Sequence, residues 1–359
     1  MKNATTYSQQ TLGGSASRRI IGPRSAAGAG LDDISLPESK IRRRLIASAL
    51  GSAALLPAFG AGAQTPPKVW RIGVLVNSNW ERQYGLFRDG MRELGYVEGR
   101  NIAFELRTAQ GKSDALPALA AELAALKVDA IFALLTPSAH AAKGATSTIP
   151  IVIWAGDPVG TGLIASLARP GGNITGMSAT GTELGAKNLE LIRDLLPATR
   201  RVGVLANATD PFTQPFLKLL REAGTTLGIE VLPAMVRSEE DYAAAFAGWQ
   251  KPRVDAVIHQ PSLPMPRSVA LLLQHRLPST SNSRQFAEAG GLMSYQANAK
   301  DAARRVAYLL DRILKGAKPA DLPVEQPTTY ELIINLKTAK ALDIKIPYSL
   351  SLRASEMIE

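Results

Sequence analysis

The segment Arg71-Ile72-Gly73-Val74-Leu75-Val76-Asn77 returns, almost letter for letter, as Arg201-Val202-Gly203-Val204-Leu205-Ala206-Asn207. Further echoes keep the same order. Leu94-Gly95 is answered by Leu227-Gly228, Val128-Asp129-Ala130-Ile131 by Val254-Asp255-Ala256-Val257, and Ile149-Pro150-Ile151 by Leu277-Pro278-Ser279. A period of about 130 residues is too long for a solenoid, whose units run roughly 20–50 residues. It predicts two similar lobes, and the natural place for a ligand is the cleft between them.

Within each half, runs rich in Ile, Val and Ala alternate with helical patterns, which predicts an α/β chain with parallel sheets covered on both faces. Strands are expected at 71–77, 101–108, 128–134, 150–154 and 174–177, then at 202–207, 230–236, 254–260, 279–282, 292–295 and 330–335. Helices are expected at 81–94, 114–126, 138–146, 183–196, 213–227, 239–250, 266–276, 301–316 and 337–342. Right-handed crossovers place the loops after strand C-terminal ends at the mouth of the cleft.

Residues 1–63 stand outside this duplication. The first 40 are dominated by Ser, Gly, Ala and Arg without any period, which predicts disorder. Lys40-Ile41-Arg42-Arg43-Arg44 then precedes an apolar run at 45–56, Pro57, and Ala61-Gly62-Ala63. These are the parts of a secretory signal peptide, removed near Ala63, and Arg42-Arg43 also fits a twin-arginine signal. A membrane anchor is the competing reading, but twelve apolar residues fall short of the ~20 a spanning helix needs. Cysteine is absent, which excludes disulfides, thiolate nucleophiles and a lipid-modified N-terminal Cys. The expected location is therefore the periplasm, free in solution. Of the net charge of +10, half leaves with residues 1–63, which hold eight Lys/Arg and three Asp/Glu. The remainder is spread along helices, so nucleic acid is not an expected partner.

Catalytic signatures are thin. The three histidines, His140, His259 and His275, have no ligand-spaced neighbour, and there is no GxSxG elbow and no phosphate-binding loop. Gly160-Thr161-Gly162-Leu163-Ile164-Ala165 matches GxGxxA. The following helix is too short for a dinucleotide-binding unit, and the segment reads as a loop. No cofactor, no metal and no catalytic step are expected.

The strand ends carry the polar groups. Asn77 and Trp80 follow the first strand, and Thr136 and Ser138 the third; Asp157 follows the fourth. In the second half the matching positions are Asn207 with Asp210, Gln260, Ser283 with Arg284, and Tyr295 with Gln296. Thr136 is placed to cap a helix whose first-turn N–H groups attract a carboxylate, and Asp157 to hold an ammonium group. The competing reading of each is structural: a turn-capping Asn, an Asp preset by Pro158, an aromatic packed on core. Together, neutral donors and acceptors, one carboxylate and a helix terminus suit a small zwitterion or polar solute.

Several stretches carry a family resemblance. They are Glu93-Leu94-Gly95-Tyr96-Val97-Glu98-Gly99-Arg100-Asn101, Gly156-Asp157-Pro158-Val159-Gly160 with Ala168-Arg169-Pro170-Gly171-Gly172-Asn173-Ile174-Thr175-Gly176, and Phe286-Ala287-Glu288-Ala289-Gly290-Gly291-Leu292-Met293-Ser294-Tyr295. Ile313-Leu314-Lys315-Gly316-Ala317-Lys318-Pro319 and Glu331-Leu332-Ile333-Ile334-Asn335-Leu336-Lys337-Thr338-Ala339-Lys340 complete the set. Across about residues 70–359 the chain resembles the ABC-transporter substrate-binding proteins of the tryptophan-binding-protein-like family. The resemblance implies a type I periplasmic-binding-protein fold: two Rossmann-like lobes joined by a three-segment hinge, near 177–183, 296–300 and 324–327. With residues 1–63 as leader, lobe 1 is expected at 64–177 plus 300–325, and lobe 2 at 178–299 plus 326–359. It also implies a monomer that captures a small-molecule ligand, such as an amino acid, for an inner-membrane ABC permease driven by a separate ATPase. The chain departs from the family at Gln296, where a Gly is usual and where the larger side chain narrows the expected pocket, and at Ala208, where a Pro is common. Two other readings of the residues stand beside this one. One is a ligand-sensing receptor that reports to a membrane signalling protein; the other is a cleft enzyme using Asp157 as a base.

Overall fold

The computed structural model describes residues 68–179 and 181–359. The leader, signal and cleavage readings at 1–63 lie outside the described residues.

The first half forms β1 (Trp70–Val76), α1 (Glu81–Glu93), β2 (Ile102–Thr108), α2 (Leu116–Ala125), β3 (Ala130–Leu134), α3 (Thr136–Ala145), β4 (Ile151–Ala155) and β5 (Ile174–Ser178). Its sheet has the order β2-β1-β3-β4-β5 and is parallel throughout. The second half forms α4 (Gly181–Leu195), β6 (Arg201–Asn207), α5 (Thr213–Leu227), β7 (Glu230–Val236), α6 (Tyr242–Gly248), β8 (Ala256–His259), α7 (Pro266–Gln274), β9 (Ser279–Ser281), α8 (Arg284–Glu288) and β10 (Met293–Ala297). The chain ends with α9 (Ala299–Leu314), β11 (Tyr330–Asn335), α10 (Leu336–Ala341), α11 (Tyr348–Ser351) and β12 (Glu356–Ile358). The second sheet runs β12-β11-β10-β9-β8-β6-β7.

The sequence echoes become the same hydrogen bonds. Asp129 accepts the backbone N–H of Arg71 at 2.8 Å, and Asp255 that of Arg201 at 2.8 Å. Register follows: Ile72 pairs with Ala130 and Val202 with Ala256. Pro150 accepts from Ile131, and Pro278 from Val257. Gly95 and Gly228, at φ 90° and 65°, end equivalent helices where a side chain would be strained.

Alternation along each strand builds a core on either face of its sheet. In the first lobe Ile72, Val74, Val76, Phe132 and Leu134 face α1 and α9, whereas Leu75, Ile131 and Ala133 face α2 and α3. In the second, Val202, Val204 and Ile258 meet α4 and α5 while Leu205 and Val257 meet α6 and α7. Two helices cross over. α4 follows a strand of the first sheet but packs in the second lobe, and α9 follows β10 but packs on the first. Gly90 lets α1 and α9 approach, since a Cβ there would lie 3.0 Å from Ala307 Cβ. The crossings run side by side: Ser178 donates to Glu325 O, and Glu325 N to Gly176 O. Two lobes, joined by these segments, share one cleft.

Three features differ from the sequence reading. β11 is antiparallel to β10, with Tyr330 opposite Ala297. The chain returns from α9 at the cleft end of the sheet and must run the other way. The short elements α8, α11 and β12 were not expected; at five, four and three residues they are too brief to show a period. Residues 113–115 form a 3-10 turn before α2. The GxGxxA segment is a loop, as expected, with neither helix nor strand and with Gly162 N bonded to Val159 O.

Candidate ligand-binding cleft

A cavity of about 100 Å³ lies where the strand ends of the two lobes meet. Its first-lobe wall comes from the turn before α1 and from the ends of β3 and β4, including Asn79, Thr136 and Trp154. Its second-lobe wall comes from the ends of β6, β8 and β9, including Asp210, Gln260 and Ser283. Leu134, Leu135, Phe212 and Leu184 make much of the remaining lining apolar, and Ala297 and Ala299 close it at the crossing segments.

Among the described residues, Asp210 is the only carboxylate in this lining. The turn after β6 folds around it: Oδ1 accepts from Phe212 N at 2.9 Å, and its own carbonyl accepts from Thr213 N to start α5. Oδ2 accepts from Gln260 Nε2 at 2.9 Å. Gln260 is oriented in turn, because its Oε1 accepts from Asn207 N at 2.8 Å and from the Thr213 hydroxyl at 2.9 Å. Burial pushes the Asp210 carboxyl up to about 6, against the lowering pull of hydrogen bonds from Ser262, Phe212 and Gln260. The group is thus an anion close to neutralisation, with room for a cation beside it.

Opposite, α3 begins at the cavity wall. Its N-cap is Leu135, at φ 69° and ψ 159°, with no side-chain cap. That corrects the capping role expected of Thr136. The Thr136 hydroxyl instead accepts from Gly156 N and donates to Gly156 O, each at 3.2 Å, tying the ends of β3 and β4 together. The first-turn amides of α3 remain an electropositive end of the kind that favours an anion.

Of the nine expected site residues, Thr136, Gln260 and Ser283 line the cavity. Asn77 and Asn207 sit directly behind it. Asn77 Nδ2 donates to Ser113 Oγ at 3.1 Å, and Asn207 caps its own turn through Thr209 N at 3.0 Å. Ser138 is buried in the first turn of α3 with no partner for its hydroxyl among the described residues. Trp80 precedes α1 and packs on the first core, tilted 59° against Tyr84. Tyr295 stacks on Tyr330 at 5.8 Å, packed against the last core cluster, while its neighbour Gln296 lines the cavity. Asp157, at φ 36°, caps its own loop: Oδ1 accepts from Gly160 N at 2.8 Å. The carboxylate that reaches the cavity is Asp210. Its signal was a strand-end Asp beside Pro211, the same signal that Asp157 gives beside Pro158. Trp154, Phe212 and Asn282 also line the cavity and were not singled out in the sequence. Among the described residues no His, Cys, Asp and Glu cluster could hold a metal ion.

Residues 72–358 match the family model described as ABC transporter substrate binding protein. The chain belongs to this family. A relative named tyrosine-binding protein, from Clostridioides difficile (strain R20291), is 29% identical over 268 residues, covering 72% of this chain and 76% of that protein. An ABC domain from Streptococcus pneumonia, solved in complex with L-Trp, is 26% identical with a TM-score of 0.74, covering 81% of this chain and 100% of its own. The ligand-free, open structure of an adhesive substrate-binding protein from Clostridium difficile is 25% identical with a TM-score of 0.57, covering 81% and 99%. The architecture of this substrate-binding protein is the type I periplasmic-binding-protein fold, and its named relatives are binding proteins.

Proposed function

We propose that this ABC substrate-binding protein captures a small α-amino acid in the interlobe cavity and carries it to a membrane permease. The observation that carries the reading is Asp210: one buried carboxylate in a cavity whose other polar groups are neutral amides and hydroxyls. An ammonium group at Asp210 and a carboxylate at the start of α3 would each meet their complement. The apolar part of the lining, Leu134, Leu135, Trp154 and Phe212, then favours an apolar or aromatic side chain. Relatives named for tyrosine or solved with L-Trp support this class. Nothing in the reading requires the solute to be altered. Periplasmic location and delivery to a permease with a separate ATPase complete the proposal, and rest on the family and on the signal-like leader.

The test is calorimetry on purified protein lacking residues 1–63, over a panel of L-amino acids, each paired with its decarboxylated amine and its deaminated acid. The expected outcome is binding by an apolar or aromatic amino acid, and at least about a hundredfold loss when either charged group is removed, as for a buried charge left unpaired. Equal binding of the amine or the acid would overturn it.

A further inference from the structure

The two lobes touch across the cleft through direct hydrogen bonds. Three consecutive residues after β1 donate to consecutive carbonyls of the turn after β8. Asn77 Nδ2 and Ser78 Oγ reach Ser262 O at 3.4 and 3.1 Å. Asn79 Nδ2 reaches Leu263 O at 2.8 Å and Pro261 O at 3.4 Å. A second tier lies beside them: Gln83 and Gln285 exchange amide hydrogen bonds at 3.1 and 2.5 Å, and Gln285 Nε2 donates to Asn79 O at 3.3 Å. Gly111 leaves space for Pro264, since a Cβ there would sit 2.7 Å from its Cγ.

We propose that Asn79, supported by Ser78 and Gln83, is a positioning residue for solute binding: a latch from lobe to lobe that holds the 261–263 turn and so sets how long the cleft stays shut. Asn79 stands at φ 51°, a left-handed conformation that Asn accepts more readily than most residues. The gripped turn contains Ser262 and follows Gln260, the two side chains that hold Asp210. The latch therefore anchors the Asp210 wall to the opposite lobe. Two solved relatives of similar identity and equal coverage match this arrangement to different degrees. The chain matches the L-Trp complex at a TM-score of 0.74 and the ligand-free open form at 0.57. The latch bonds form only where the two lobes meet, so they favour the closed arrangement over the open one, and a solute that bridges the lobes adds to that bias.

Asn79→Gly accepts φ 51° and removes one latch donor, and Ser78→Ala removes another that lies outside the cavity lining. With no native cysteine in the chain, one introduced cysteine on an exposed site of each lobe can carry spin labels without background. In ligand-free wild type a short interlobe distance is expected alongside a long one, and both variants deplete the short one. With L-tyrosine and L-leucine as probes, dissociation speeds up about tenfold, the scale of one or two lost hydrogen bonds. In Ser78→Ala, whose side chain is outside the lining, the association rate and the ratio of the two affinities stay unchanged. A ligand-free wild type with no short distance, variants with wild-type distances, or a changed preference at an unchanged dissociation rate would each overturn the latch. The kinetic arm rests on the amino-acid reading. The distance arm does not, so failure of every amino acid to bind would sink that reading while the labels still judge the latch.

Discussion

Gln260 Nε2 lies 2.9 Å from Asp210 Oδ2, while Oε1 of the same glutamine accepts from Asn207 N at 2.8 Å and from Thr213 Oγ1 at 2.9 Å. With two donors on its oxygen, the amide can turn only its NH2 toward Asp210. The carboxylate is thereby fixed as an acceptor in a dry wall, and burial raises its pKa to about 6.

That value gives the cleft a pH dependence. An ammonium-bearing solute needs ionised Asp210, so affinity is expected to be level above pH 7 and to fall by about tenfold per unit well below the pKa. Calorimetry at pH 7.5 and pH 5 with the best-binding amino acid checks this. Equal affinity at the two values would remove Asp210 as the counter-ion.

Asp157 provides the contrast. Its carboxylate caps Gly160 N at 2.8 Å within its own loop and is absent from the cavity lining. Asp157→Ala is expected to cost about 1 kcal/mol of stability, as for a lost local cap, and to leave solute affinity within about twofold (under ~0.4 kcal/mol). Asp210→Ala should abolish measurable binding. The reverse ranking would restore Asp157 to the site.

The duplication was legible because both halves set the backbone the same tasks. Asp129 and Asp255 anchor the same strand start, and Pro150 and Pro278 accept from the same place in the ladder. Strand ends were legible as a class, which is why Thr136, Gln260 and Ser283 fell on the cavity wall. What sequence does not carry is the side on which a given residue emerges. Tyr295 and Gln296 are neighbours on β10, and a one-residue alternation decides that Gln296 lines the cavity while Tyr295 stacks on Tyr330. Asp157 and Asp210 likewise share a local pattern, yet Asp210 is buried in the cavity wall and Asp157 lies outside it.

His259 predicts a second pH effect, on stability. The ring is fully buried, stacked on Phe286 at 5.1 Å, and burial lowers its pKa to about 4. Below pH 6.5 the unfolded chain takes a proton that the folded one refuses, so stability falls by roughly 1.4 kcal/mol per unit down to the folded value. Asp210 acts oppositely between about 6 and its ordinary value of 3.8, because there the folded state holds the proton. The two contributions largely cancel in the wild type over that range. His259→Phe removes one of them, and its stability relative to wild type should rise by about 2 kcal/mol between pH 6.5 and pH 5. Urea denaturation at the two values reads the difference, and a constant gap would mean the ring is not held neutral.

Gly156 and Gly203 separate closure from folding. A Cβ on Gly156, at the end of β4, would lie 3.0 Å from two carbons of the Phe212 ring in the opposite lobe. A Cβ on Gly203 would lie 2.8 Å from Trp249 Cε2 within one lobe, and that indole cannot swing aside while Nε1 donates to Leu232 O at 3.1 Å. Overpacking costs about 1–3 kcal/mol in either case, but the cost appears in different measurements. Gly156→Ala wedges the cleft, so solute affinity should drop by roughly five- to a hundredfold with little change in the ligand-free Tm. Gly203→Ala strains the second lobe in both open and closed states, so Tm should fall while affinity holds. If Gly156→Ala instead lowers Tm and spares binding, the contact between Gly156 and Phe212 is not made on closing, and the lobes meet in some other way.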